Sequence, residues 1–227
     1  MRTIIPLSFT FADRWSIGVI IKIINNMSKN FLIINCTGKN DSIALLKENS
    51  FFIKDLQINK VKYELLNLEI LDLLKNKKTV LDSNFSILVN TGPGSFSGIR
   101  IALAVAKGIH LTNKINIFAY NNFLLNAVTC LQKNQKVISI QKTNNFFYSI
   151  QIDLKNKTVS SPILVDFKKL QNGNDTIVVP KEEKMESNFT SLDKLQVHFG
   201  EIELKNLSFL IDNNLLEKKL IRPIYLS

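Results

Sequence analysis

The run Asn90-Thr91-Gly92-Pro93-Gly94-Ser95-Phe96-Ser97-Gly98-Ile99-Arg100 carries the residues best able to do chemistry in this chain. Backbone N–H groups at a helix start favour anions, and Arg100 would stand in the first turn, so Gly92, Gly94, Ser95, Gly98 and Arg100 could contact a phosphate. The same residues suit a sharp strand-to-helix turn. Glycine permits positive φ and close backbone approach, Pro93 fixes one φ, and Ser95 or Ser97 can cap a helix beginning near Gly98. Structural use is the stronger reading of the two.

Other chemistry has little to draw on. His110 and His198 are solitary, Cys36 and Cys130 are far apart without Cys-x-x-Cys spacing, and neither a disulfide framework nor a zinc site is indicated. No Ser/His/Asp or Cys/His arrangement can be assembled, so the expectation is no catalytic residue and no metal site. His110 is expected near a helix C-terminus, where a partly charged imidazole complements the dipole.

The elements that must position the glycine turn follow from hydrophobic patterning. Residues 31–36, 42–47 and 50–54 read as a three-stranded meander, followed by a helix over 59–75. A strand at 85–89, a helix at 98–111, a strand at 115–120 and a helix near 121–132 complete a first lobe. A second, reduced lobe begins near residue 136, with strands at 137–140 and 146–153. Alternating strands and helices imply α/β architecture.

Composition bounds the rest. With 227 residues and 45% hydrophobic content, the chain can bury a sizeable core. Its formal net charge of +10 comes from 29 Lys and Arg against 19 Asp and Glu, but the lysines are scattered, so the charge reads chiefly as compositional bias. The run Asn145-Phe146-Phe147-Tyr148 is expected to pack its aromatics in a core rather than stack bases. A reducing cytoplasm fits the two unpaired cysteines.

Residues 92–108 resemble the GPGSFTGLR-to-AKG signature of the TsaB (YeaZ) family, a Gcp-like group of partner subunits in bacterial tRNA threonylcarbamoyladenosine synthesis. The ending Ile221-Arg222-Pro223-Ile224-Tyr225-Leu226 resembles the family's C-terminal Pro-x-Tyr-Leu-Arg. The resemblance implies an actin-like ATPase fold of two lobes, residues 27–133 and 134–227, the C-terminal segment returning to the first. It implies a non-catalytic scaffold that activates a TsaD-like catalytic paralogue, joined by a TsaE-like ATPase, with tRNA reached indirectly and homodimers as another pairing. No cofactor of its own is implied beyond weak ATP or ADP binding within the complex. An ATP-dependent kinase or hydrolase of the same fold and an autonomous tRNA-binding protein are the alternatives; the peptidase label attached to the superfamily has no support in these residues.

Departures from the family pattern point the same way. Asn35 stands where the family's first strand ends in Asp, and an amide attracts a divalent cation weakly. Lys62-Tyr63-Glu64 stands for the family's His-Ser-Glu, and Gln141-Lys142-Thr143 for its Asp-Ala-Arg. The resemblance also implies a paired-helix interface, for which Val61, Leu65 and Leu68 on one helix and Ile101, Ala102, Val105, Ala106 and Ile109 on the next are the candidates. Leucines on the first of these helices extend beyond one stripe, so it must be covered on more than one side. Residues 1–26 are expected to be an extension outside the fold, with Met27 as the functional start; the apolar run 15–21 is too short to span a bilayer.

Overall fold

The computed structural model describes residues 30–38, 40–47, 50–56, 65–143, 146–171, 175–181, 197–218 and 221–226. The extension 1–26, Val61, Lys62-Tyr63-Glu64 and Asn145 lie outside these described residues. The first sheet contains β1 (Asn30–Asn35), β2 (Ser42–Lys47), β3 (Ser50–Asp55), β4 (Phe85–Asn90) and β5 (Asn116–Tyr120), in the order β3-β2-β1-β4-β5. β1 to β3 pair antiparallel, whereas β1, β4 and β5 run parallel. Parallel neighbours need helical crossovers, and α1 (Leu66–Asn76) and α2 (Phe96–Asn113) provide them.

The continuous apolar runs of β1 and β4 are explained by burial on both faces. Phe31 and Ile33 point to one core and Leu32 and Ile34 to the other, the latter lying under α1 and α2 with Leu66, Ile70, Ile99, Ala102 and Ala106. The first core is shared with the second lobe. At its centre is α3 (Asn122–Leu131), in which every residue but Thr129 is buried. Asn121 caps this helix by accepting the Leu124 N–H at 2.9 Å.

The second sheet has β6 (Lys136–Thr143), β7 (Phe146–Asp153), β8 (Thr158–Val159), β10 (Ile177–Pro180) and β11 (Val197–Gly200) in the order β11-β10-β6-β7-β8, with β9 (Ile163–Leu164) also on β7. β6 and β7 form an antiparallel pair; β10 runs parallel to β6 and β11. A short α4 (Phe167–Gln171) covers its outer face, where Phe147 meets Phe167 edge-on. After α5 (Leu207–Asp212), the chain crosses back to the first lobe, where Ala119 and Glu217 exchange two backbone hydrogen bonds of 2.9 Å.

Two details differ from the sequence reading. Phe147 and Tyr148 are buried as expected, but Phe146, the first residue of β7, is 51% exposed at the strand's end. The helix expected over 98–111 extends from 96 to 113: the Ser95 Oγ cap at Gly98 N sets its start two residues earlier, and Lys114 in a left-handed conformation ends it. Among the described residues no helix is long and apolar enough to cross a membrane.

Candidate partner-binding site

The glycine turn is tied down by its own chain. Ser95 N–H donates to the Thr37 carbonyl at 2.7 Å, Gly98 N–H to Ser95 Oγ at 3.3 Å, and Gly92 N–H to Asn90 Oδ1 at 2.9 Å. These three donors therefore face protein oxygens rather than open solvent. A Cβ on Gly94 would overlap the Thr37 carbonyl oxygen, and Gly92 has a φ of +102°, so both glycines are required by backbone geometry alone. Arg100 is exposed and lies 5.0 Å from the Phe96 ring centroid.

The C-terminal segment closes over this turn. Ile224 N–H donates to the Thr91 carbonyl at 2.9 Å, and the Tyr225 ring lies 4.9 Å from that of Phe96. The two sequence motifs, more than a hundred residues apart, are thus two halves of one local structure.

Beneath it, the C-terminal ends of β1, β4 and β5 are joined by amides. Asn90 Nδ2 donates to Asn35 Oδ1 at 2.9 Å and to Asn122 Oδ1 at 2.7 Å. Asn35 Nδ2 donates to the Asn40 carbonyl at 3.0 Å, and Asn122 Nδ2 to the Pro93 carbonyl at 2.8 Å. Asn35, at the position of the missing carboxylate, thus has both ends of its amide engaged. Close by, burial first and Asp41 second push the Cys36 thiol well above the ordinary range, so it is a poor nucleophile at neutral pH. Among the described residues no three His, Cys, Asp or Glu side chains gather as metal ligands would.

This amide network predicts a measurable cost. Asn90→Ala leaves the Gly92 N–H and Asn122 Oδ1 unpaired in a buried setting, where each unmet group costs about 1–3 kcal/mol. Urea denaturation should show a loss of about 2–4 kcal/mol with an unchanged m-value; a loss below about 0.5 kcal/mol would mean that the network is not structural.

The paired helices carry the other feature. α1 turns Leu66, Ile70 and Leu73 to the sheet but leaves Leu65 43%, Leu68 60% and Leu71 61% exposed. Lys54 Nζ reaches Glu69 (2.7 Å) and Asp72 (2.6 Å) on the flank of α1 towards β3. The two carboxylates, Asp72 first, raise the Lys54 ammonium's pKa, and Lys54 lowers that of the Asp72 carboxyl. On α2, Ala104 and Gly108 are exposed, and Ile101, Val105 and Ile109 are half-buried against the core beneath α1 and α2.

Ala102 and Ala106 require a correction as interface candidates. Both are fully buried within this chain's own core, on the face of α2 that lies against the sheet, so no partner can touch them. Their spacing of four residues makes a close-packing face, and what it packs against is the chain itself. The outward small-residue pair is Ala104 and Gly108. A Cβ on Gly108 would meet no atom within 4 Å, so nothing in the chain requires glycine at this mid-helix position. Ile101, Val105 and Ile109 keep some exposure on α2, and Leu65 and Leu68 keep theirs at α1.

No protein-family model matches the chain. The tRNA threonylcarbamoyladenosine biosynthesis protein TsaB of Buchnera aphidicola subsp. Baizongia pistaciae (strain Bp) is 31% identical to it over 129 residues. In sequence this chain is similar to TsaB. The matched stretch spans 53% of this chain and 58% of that TsaB, little more than half its length. The fold is shared with YeaZ from Pseudomonas aeruginosa, at a TM-score of 0.58 and 18% identity over 87% of this chain and all of that one. A protein described as similar to the peptidase YeaZ from Pseudomonas aeruginosa superposes with a TM-score of 0.59 at 17% identity, over 88% of this chain and all of that one. The chain therefore shares the α/β fold of these YeaZ structures, with two sheets, the second carrying two two-residue strands on β7.

Proposed function

We propose that this chain is a non-catalytic scaffold and activating subunit of the tRNA threonylcarbamoyladenosine machinery, in the cytoplasm, that pairs with a TsaD-like catalytic paralogue through the outward face of α1 and α2. The observations that carry the reading are Gly108 on the outward side of α2 and the exposed leucines of α1. Glycine in a helix interior is less favourable than alanine by about 0.5–1 kcal/mol, and here no atom of the chain itself needs the space. Close approach by another helix is the use that remains for it, and three exposed leucines on one short helix supply an apolar surface for that helix to cover.

The TsaD-like partner would supply the metal ligands and the threonylcarbamoyl donor site, and a TsaE-like ATPase would join the assembly. The amide-lined strand ends favour this division of labour, because they offer a divalent cation no carboxylate at position 35. Titrating the purified chain into the TsaD-like paralogue of the same cell, by calorimetry, tests the reading. Saturable binding is expected, and the chain alone should show no sustained turnover of ATP with magnesium. Turnover without any partner would favour the kinase or hydrolase alternative.

A further inference from the structure

On the flank of α2 away from Val105, the first lobe carries a basic groove. It encloses about 440 Å3 between the C-terminal part of α2, the start of β5 and the returning C-terminal segment. Lys107 and His110 enter it from the helix, Lys218 and Arg222 from the C-terminal segment, and Ile117 and Ile221 give it an apolar floor. Lys107 is two positions after Val105 and so roughly 200° round the helix from it, and about 100° from Gly108, so the groove lies on the flank of α2 away from Val105 and adjoins the Ala104–Gly108 side.

The charges are not cancelled locally. No carboxylate lines the groove, and none of Lys107, Lys218 and Arg222 has an ion-pair partner among the described residues. Glu217, next in sequence to Lys218, is not among the groove's lining residues. His110 has a fixed ring, donating Nδ1–H to the Ile115 carbonyl at 2.6 Å, since that carbonyl can only accept. A helix C-terminus attracts cations, and that alone would account for Lys107 and His110. It does not account for two further cations brought to the same groove by a segment more than a hundred residues later.

We propose that this groove seats the phosphodiester backbone of tRNA, so that the chain contacts the substrate of the assembly directly. Arg222 can meet a phosphate with two N–H donors, whereas Lys107 and Lys218 act as point charges. The groove's lining sets three cations against one imidazole (His110), one amide (Asn116) and no acidic side chain, so charge outweighs the groups that could stack a base or hold a ribose hydroxyl. It therefore reads charge along a strand rather than one nucleotide. The choice of tRNA rests on the function proposed above.

The test is fluorescence anisotropy of a labelled tRNA transcript with the full chain, over a series of salt concentrations. The double variant Lys218→Gln, Arg222→Gln should bind at least tenfold more weakly at about 0.1 M salt, and its plot of log affinity against log salt should be shallower by about 2, one unit for each lost phosphate contact. Melting should be unchanged, since both side chains are exposed. An unchanged slope would overturn the proposal, as would displacement of the transcript by millimolar inorganic phosphate at constant ionic strength, which would mark a free-anion site. Calorimetry with the TsaD-like paralogue separates this from the function reading: a wild-type chain that binds tRNA through the groove but not the paralogue sinks the function and leaves the groove standing.

Discussion

Gly108→Arg is expected to leave the chain folded and to weaken its binding to the TsaD-like partner by orders of magnitude. The position is exposed and a Cβ there meets nothing, so a long side chain extends into solvent in the free chain at no steric cost. Helix propensity even improves, and the milder Gly108→Ala should stabilise the isolated chain by about 0.5–1 kcal/mol. In the complex the guanidinium would sit where two helices approach closely, and an unpaired charge at such a site costs about 2–5 kcal/mol, roughly 30-fold to several-thousand-fold in affinity. Calorimetry gives the affinity and thermal melting the stability. Full affinity in the folded variant would move the interface off α2.

Ala102→Arg, six residues earlier on the same helix, should behave in the opposite way. Ala102 is fully buried under α2 among Ile34, Val89 and Ile99, so the new charge would have to be buried without a partner or the helix would have to lift from the sheet. A cost of about 3–5 kcal/mol or more is a large part of the total stability of an ordinary domain, about 5–15 kcal/mol. The variant should melt far below the wild type or fail to accumulate as folded protein, as seen by circular dichroism. A well-folded Ala102→Arg chain that had lost only its partner would restore Ala102 to the interface and refute the packing described above. The two substitutions are the same chemistry on one helix, and only the direction each residue faces separates their outcomes.

The first lobe was legible because its signals are local and strong. The meander 30–55, the strand ending at Asn90 and the glycine turn each follow from apolar runs bounded by turn residues, and they appear within one or two residues of expectation. The second lobe was less so. β8 and β9 are two residues each, too short to show alternation, and β10 and β11 pair parallel across a long separation in sequence, which no local pattern encodes.

In the site, the four-residue spacing of small residues on α2 marks both of its close-packing faces. Spacing alone does not say which faces the sheet. Ala102 and Ala106 line up with Ile99 and Leu103, whereas Ala104 lines up with Arg100 and Lys107, and that apolar-against-polar company was the signal available in the sequence. The amide network and the basic groove had no such signal. Asn35, Asn90 and Asn122 meet only once three strands are laid side by side, and Lys218 and Arg222 reach Lys107 only because the chain's end returns to the first lobe.

The central claim is that this chain activates chemistry performed by another subunit. Its most direct test is threonylcarbamoyl transfer to tRNA in a reconstituted mixture of the TsaD-like paralogue, the TsaE-like ATPase, the threonylcarbamoyl donor and this chain, read by mass spectrometry of the tRNA nucleosides. The account predicts modified adenosine when both the paralogue and this chain are present, and little or none when either is omitted or when Gly108→Arg replaces the wild type. Equal modification with the chain left out would contradict it.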